Sequence, residues 1–346
     1  MKQRKSIYRY GLNSKARAMQ WRLLRSAGLL SILLAVMPAN AGITYNFVSG
    51  PLPAGCTPTA PLSTTSFVCA AAVTLGIGDE FVIAPNSDVT IKVVGALTTG
   101  VNSIINADSS STLTLITIGA VTVAPGSYIN ANIIATAAVT LMTGSHLSGY
   151  LKTAAGVVTL LNNVRTDGSI NTAAGGVTVG NGSFVGGDVK TIAGIVVIGI
   201  GSYIAGTVGT SAGGITLGIG STVANNLVSI GAGIVTIGAK ANIYRTVSTV
   251  AGAITLGAGS SISGDITING AGVMTVAGAT ANTFTGVLIE GNASTAVGAV
   301  TLTGVNVGGE VNSGAAVTLT GSFTNQANYA DFRGNDRIIY RGEKKY

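Results

Sequence analysis

The chain has 346 residues, of which 47% are hydrophobic, 9% are charged and 50 are glycine. Charged residues usually make up about a quarter of a globular chain, so this composition excludes ordinary disorder and a charged coiled coil. Seven prolines without a G-X-Y period also exclude collagen. The composition is typical of repetitive β-structure.

The first 41 residues have the layout of a secretory signal peptide. Eight of the 19 basic residues lie within the first 25 positions, an apolar run extends from Ala27 to Met37, and Ala39 and Ala41 form an A-x-A cleavage motif. A run of about 11 residues is too short to span a bilayer, which takes about 20. We expect an exported protein at the cell surface, outside the cell or in the periplasm. An amphipathic N-terminal anchor is the alternative.

The net charge of +7 belongs to this leader. Without residues 1–41 the chain holds 11 basic and 12 acidic residues, so the high pI is no indication of nucleic-acid binding. The mature chain contains no apolar stretch that predicts a transmembrane segment.

Both cysteines lie in a segment, residues 42–85, that we interpret as an N-terminal cap. Since export exposes Cys56 and Cys69 to an oxidising compartment, we predict a structural disulfide; two free thiols are the alternative. A loop of this length is stabilised by roughly 3 kcal/mol in the chain-entropy model. His146 is the only histidine and lies far away in sequence, so we expect neither a metal site nor a cofactor.

An apolar-Thr-apolar phrase, with Val197 in place of the threonine in one copy, recurs eleven times between residues 121 and 319, usually 18–20 residues apart. Apolar residues also recur seven and eleven positions after its centre, with Thr166 as the one break in the first series. Small residues at plus nine, such as Gly149 and Gly168, are expected to supply positive-φ corners. Because one 19-residue unit cannot bury its apolar side, we predict stacked coils. Three apolar columns per period predict an all-β, three-sided parallel β-helix of 11–13 coils over residues 86–327, with a flat two-faced solenoid as the alternative.

Two segments interrupt this regularity. The longest coil has 26 residues, and we place its insertion near residues 288–295, where a binding loop or a plain surface loop is possible. The tail of residues 328–346 is charged and aromatic. It is interpreted as a cap over an open β-edge or as a docking peptide.

The central threonines of the phrase are expected to point outward, because the apolar residues on either side point inward. The predicted ladder consists of Thr122, Thr140, Thr159, Thr178, Thr216, Thr236, Thr255 and Thr275. Val197 breaks it, and Ile195 and Ile234 stand among the mostly small flanking residues. Three interpretations are open: stabilisation of the sheet alone, lateral packing against another molecule, or binding of ice or another ordered surface.

Catalytic residues are not predicted. A Ser-His-Asp triad needs a histidine, and His146 occupies a position that holds Tyr128, Phe184 or Tyr203 in other coils. Asp188 and Asp265 share a register position, but four coils separate them by roughly 19 Å, which is too far for a carboxylate pair. A polysaccharide-degrading enzyme on the same fold is kept as an alternative function.

The repeat resembles that of the bactofilins. The similarity is carried by short G-x-x-[Ile/Val] rungs, such as residues 180–189 and 259–266, and covers about residues 120–325. The resemblance implies a right-handed β-helix that polymerises end to end without a nucleotide. The bactofilins are cytoplasmic, so exported surface proteins with similar repeats are the closer analogy. We therefore predict a non-enzymatic structural or adhesive protein that self-associates or contacts cell-surface or matrix components.

Overall fold

A computed structural model describes residues 42–60, 63–106, 108–277, 287–320 and 323–324. The predicted signal peptide and the C-terminal tail lie outside these ranges. The described residues form strands and turns with no helix, so the predicted all-β class is confirmed. None of them belongs to a helix that is long and apolar enough to cross a membrane.

Three sheets run side by side along the solenoid, and each coil contributes one strand to each of them. The first, here called the threonine sheet, has 13 strands. Its strands are Val73–Thr74, Leu97–Thr98, Val121–Val123, Val139–Leu141, Val158–Leu160, Val177–Val179, Val196–Ile198, Ile215–Leu217, Val235–Ile237, Ile254–Leu256, Met274–Ala277, Val300–Thr303 and Val317–Thr320.

The other two sheets have 14 strands each. The aromatic sheet consists of Thr44–Asn46, Glu80–Val82, Ile104–Ile105, Tyr128–Ile129, His146–Leu147, Arg165–Thr166, Phe184–Val185, Tyr203–Ile204, Thr222–Val223, Asn242–Ile243, Ser261–Ile262, Val287–Ile289, Val305–Val307 and Phe323–Thr324. The disulfide sheet consists of Cys56–Pro58, Ser66–Cys69, Asp88–Val93, Thr112–Thr117, Asn132–Ala135, Leu151–Thr153, Ile170–Ala174, Val189–Ala193, Val208–Ala212, Leu227–Ser229, Val247–Thr249, Ile266–Ile268, Ala293–Thr295 and Val311–Ser313.

Parallel pairing between consecutive coils follows the sequence repeat. In the threonine sheet Val139 pairs with Val158, and Val158 pairs with Val177, one repeat apart each time. Both predicted apolar series lie inside: Ile204 from the plus-seven series and Val208 from the plus-eleven series are fully buried. The three-sided parallel β-helix is thus confirmed, with its core along the axis.

The N-terminal segment, residues 42–85, supplies the first strands of all three sheets. Cys56 and Cys69 form the predicted disulfide, and they join an antiparallel strand pair within otherwise parallel sheets. Phe47 packs edge-on against Phe67 and Phe81, so aromatic side chains fill the core there.

The corner prediction was wrong about position. Positive φ occurs at plus four, as at Gly144, Asn163 and Lys240, and not at plus nine. Where glycine stands at plus nine, it allows a close approach between coils instead, whereas two coils hold Asn225 and Arg245 there. A Cβ on Gly149 would lie 2.1 Å from the Ala131 carbonyl oxygen, and one on Gly168 would lie 2.5 Å from that of Gly149. No side chain fits there without moving backbone.

Two columns of inward-facing polar residues were not predicted from the sequence. Buried serines at plus five donate to backbone carbonyls at the coil corners, as from Ser202 to Gly180 at 2.8 Å. Buried threonines at plus thirteen do the same at the next corner, as from Thr210 to Gly194 at 3.0 Å. These hydroxyls give the turn carbonyls a hydrogen bond inside the core, which explains why a buried serine follows most of the positive-φ glycines at plus four.

The predicted insertion was also misplaced. Leu288 pairs with Ser261 and Ser294 pairs with Thr267, so both lie in regular strands. The additional residues of the long coil fall between Ala277 and Val287, a segment that lies outside the described residues.

Candidate functional site

The threonine ladder is continuous across the threonine sheet. All eight predicted threonines are register partners of the equivalent residue in the next coil, with Val197 standing between Thr178 and Thr216. The same column contains Thr74 and Thr98 before the predicted ladder. It also contains Thr301 and Thr318 after it. Thirteen described coils therefore present twelve threonines in one line.

The ladder is more exposed in its later half. Thr122, Thr140 and Thr159 are half-buried, whereas Thr178 and the ladder threonines from Thr216 to Thr275 are exposed. The neighbouring outward position also changes, from Met142 and Leu161 to glycine. The later coils thus offer methyl and hydroxyl groups directly to whatever contacts this face.

The edge of the threonine sheet is ridged and not flat. The residue two positions before each ladder residue alternates between large and small over seven coils: Val157, Gly176, Ile195, Gly214, Ile234, Ala253 and Val273. The four large side chains are 46–60% exposed. Ile195 and Ile234 were identified from the sequence, whereas Val157 and Val273, which continue the same series at every second coil, were not.

No charged residue lies on the outer face of this sheet within the described coils, counting the ladder and the columns two residues to either side. The described charges lie on the other two sheets and at corners. Lys152 and Lys190 are on the disulfide sheet, and Arg165 is on the aromatic sheet. An uncharged surface with exposed isoleucine and valine suits another apolar protein surface better than an ionic ligand.

The aromatic sheet holds a stack that the sequence did not reveal. The Tyr128 and His146 rings are 5.1 Å apart, and His146 Nε2 lies 2.7 Å from Asp167 Oδ2. Arg165 also contacts Asp167, at 2.6 Å, and lies 4.5 Å above the Phe184 ring. These contacts link successive coils. The expected aromatic-type position of His146 is consistent with them.

A catalytic triad is not assembled around His146. The neighbouring Ser145 hydroxyl is buried and donates to the Met142 carbonyl at 2.7 Å. Asp167 is 32% exposed and shared between His146 and Arg165. A triad needs a hydroxyl within reach of the imidazole, and Ser145 is committed elsewhere.

Asp188 and Asp265 act as caps for the following coil. Asp188 Oδ1 accepts the Thr207 amide and Asp265 Oδ1 accepts the Asn292 amide, both at 2.7 Å. Burial opposes ionisation of Asp188, but hydrogen bonds from Lys190 and the Thr207 amide, with the Lys190 charge, outweigh it and lower its pKa. The two carboxylates have the same structural role in separate coils.

A depression of about 430 Å³ lies on the disulfide sheet, and its lining includes Lys190, Gly209 and Val228. Its wall toward the threonine sheet is formed by Ile192, Ser211 and Ile230. Among the described residues no group of three or more His, Cys, Asp or Glu side chains is placed to hold a metal ion.

Comparisons of this chain with protein-family models, with curated proteins and with solved structures find no match. The similarity to bactofilin repeats therefore rests on the sequence phrase and stays a prediction.

Proposed function

We propose that this protein is an exported structural element that associates side by side with further copies through its threonine sheet. The observation that carries the proposal is the uncharged outer face of that sheet, with a line of threonines and a ridge of exposed valine and isoleucine. Apolar patches of this kind mark interaction surfaces in proteins that are otherwise monomeric.

Export is part of the proposal. The basic leader, the short apolar run and the A-x-A motif are typical of a signal peptide. The Cys56–Cys69 disulfide is compatible with an oxidising compartment. A structural or adhesive role at the cell surface, outside the cell or in the periplasm fits both features.

Sedimentation velocity of the full chain at increasing concentration, followed by negative-stain electron microscopy, tests the association. Thr216→Lys places a charge on the proposed face, and Thr222→Lys places one on the aromatic sheet of the same coil. We expect assemblies for the unmodified chain and for Thr222→Lys, and their loss for Thr216→Lys. A chain that stays monomeric at every concentration contradicts the proposal.

The alternative of ice or surface binding is favoured by one observation, the length of the ladder. Twelve threonines, about 4.8 Å apart except where Val197 stands between Thr178 and Thr216, form a repeating array of hydroxyl and methyl groups. Thermal hysteresis of the purified protein tests this alternative directly. The alternating ridge beside the ladder makes this face less flat than such binding requires.

A further inference from the structure

A notch crosses the corner between the disulfide and threonine sheets. Within the coil of residues 208–215, the outward positions hold Ser211 and Gly214. The coils immediately before and after it carry isoleucines at the equivalent positions. These side chains, each 57–60% exposed, are Ile192, Ile195, Ile230 and Ile234.

The coil that forms the notch has room for a side chain that it does not carry. Gly209 lies in the middle of a strand without positive φ, and a Cβ there would meet nothing closer than 3.5 Å. Glycine in a strand interior weakens the strand and often marks the close approach of another molecule. The depression of about 430 Å³ extends from Gly209 to Ser211.

Two columns of outward residues meet at this corner. The first is the ridge of the threonine sheet, which alternates between large and small from Val157 to Val273. The second stands at the end of the disulfide sheet and reads, coil by coil, Ile118, Thr136, Ala154, Ala173, Ile192, Ser211, Ile230 and Val250. In this second column the alternation is confined to Ile192, Ser211 and Ile230.

We propose that a second copy of this chain packs antiparallel against this corner, with the twofold axis between the coils of Ile195 and Gly214. The inference rests on the proposed side-by-side association and adds its partner, site and register. An isologous interface brings the same patch of both copies together, so the patch must be complementary to itself.

This register makes the first column self-complementary. Ile195 faces Gly214 of the second copy, and Ile234 faces Gly176 of the second copy. Further out, Val157 meets Ala253 of the second copy. Every large residue enters a gap, as in the interdigitated interfaces between paired sheets.

The second column selects this register from its neighbours. Ile192 faces Ser211 of the second copy, and Ile230 faces Ala173 of the second copy. A relative shift of two coils preserves the fit of the first column. A shift in one direction places Val250 of one copy against Ile192 of the second copy. A shift in the other direction places Val250 against Ile118 of the second copy. The proposed register is thus the arrangement that fits both columns.

The surface area that this corner can bury, and the absence of charge from its two columns, also favour a second copy of this chain as the occupant. Burial of one such isoleucine removes on the order of 60–100 Å² from water. The eight isoleucines of a symmetric pair therefore supply roughly half or more of the ~1,200 Å² that a stable interface needs, and the flanking threonine sheet adds more. The two columns hold no charged residue, whereas Lys152 and Lys190 line the depression beside the second column.

Cysteine cross-linking between separately expressed full chains tests the register. Chains with Ser211→Cys are mixed with chains carrying Ile192→Cys or Ile230→Cys under mild oxidation. The two isoleucines are equally exposed and each flanks Ser211 within one molecule, so they are matched controls. We expect a cross-linked heterodimer with Ile192→Cys and none with Ile230→Cys, because the latter pair lies two coils apart, about 9.6 Å.

A second variant measures the contribution of the second column. Ile192→Ser with Ile230→Ser is expected to weaken association of the full chain at least about 100-fold in sedimentation, while Tyr244→Ser, at a 55% exposed side chain that follows the aromatic-sheet strand Asn242–Ile243, leaves it unchanged. Assembly of the unmodified chain without the Ile192 cross-link, or with the Ile230 cross-link instead, overturns the inference and leaves the proposed function standing. An unmodified chain that stays monomeric overturns both.

Discussion

Replacement of Thr166 by valine is expected to stabilise the protein. Thr166 interrupts a buried apolar series between Leu147 and Val185, is fully buried, and its hydroxyl has no hydrogen-bond partner. A buried hydroxyl without a partner costs about 1–3 kcal/mol, and valine has nearly the same shape. We expect Thr166→Val to raise the free energy of unfolding by about 1–2 kcal/mol.

A matched substitution gives the opposite sign. Thr153 is also fully buried, but its hydroxyl donates to the Gly156 carbonyl at 2.9 Å. Thr153→Val removes that hydrogen bond and leaves the carbonyl without this donor, so we expect a loss of about 1–2 kcal/mol. The chemical change is identical in both variants, and only the presence of a partner differs.

Urea unfolding followed by far-UV circular dichroism measures both effects. With an unchanged slope, the midpoint moves to higher urea for Thr166→Val and to lower urea for Thr153→Val. Over about 300 residues, a gain of 1–2 kcal/mol corresponds to roughly 2–3 °C in Tm. A destabilised Thr166→Val variant, or equal shifts for both variants, refutes the reasoning that the Thr166 hydroxyl is a buried liability.

Three further predictions concern the disulfide, the glycines and a carboxylate. Replacing Cys56 and Cys69 by serine should lower stability by about 3 kcal/mol, read as a shift of the urea midpoint. Gly149→Ala should lower the free energy of unfolding more than Gly144→Ala, because a Cβ on residue 149 would lie 2.1 Å from a carbonyl oxygen. A Cβ on residue 144 meets open space and is opposed only by the positive φ. Chemical denaturation compares the two variants. Asp188 has a pKa that folding lowers from its ordinary value of 3.8. Its contribution to the free energy of unfolding is therefore present above pH 3.8 and is lost as the pH falls through the pKa of the folded state. Asp188→Asn should remove that part of the acid dependence, measured as midpoint against pH; an unchanged profile contradicts it.

Positions that repeat within one coil were predictable from the sequence. The apolar-Thr-apolar phrase fixed the inward and outward sides of the threonine sheet, because strand side chains alternate. Stacking of equivalent residues followed, since neither the phrase nor the two other apolar columns can be buried by one coil. The Cys56–Cys69 pairing followed from the cysteine count and the export signal.

The corner chemistry was not predictable in the same way. Glycine is compatible with both positive φ and close backbone approach, so Gly149 was assigned the wrong reason until its distance to the Ala131 carbonyl was known. The buried serines and threonines were missed because their partners are carbonyls at the coil corners, often in another coil, as for Ser202 and Gly180.

The sequence by itself determined the all-β class, the three-sided coil, the threonine ladder and the disulfide, because these depend on a period that is written along the chain. Only the tertiary structure decided which side chains of different coils meet. The contact of His146 with Asp167, 21 residues away, and the notch between Ile192 and Ile230, 38 residues apart, arise from the register in which coils stack. That register brings distant residues within a few ångströms, and no local pattern contains those distances.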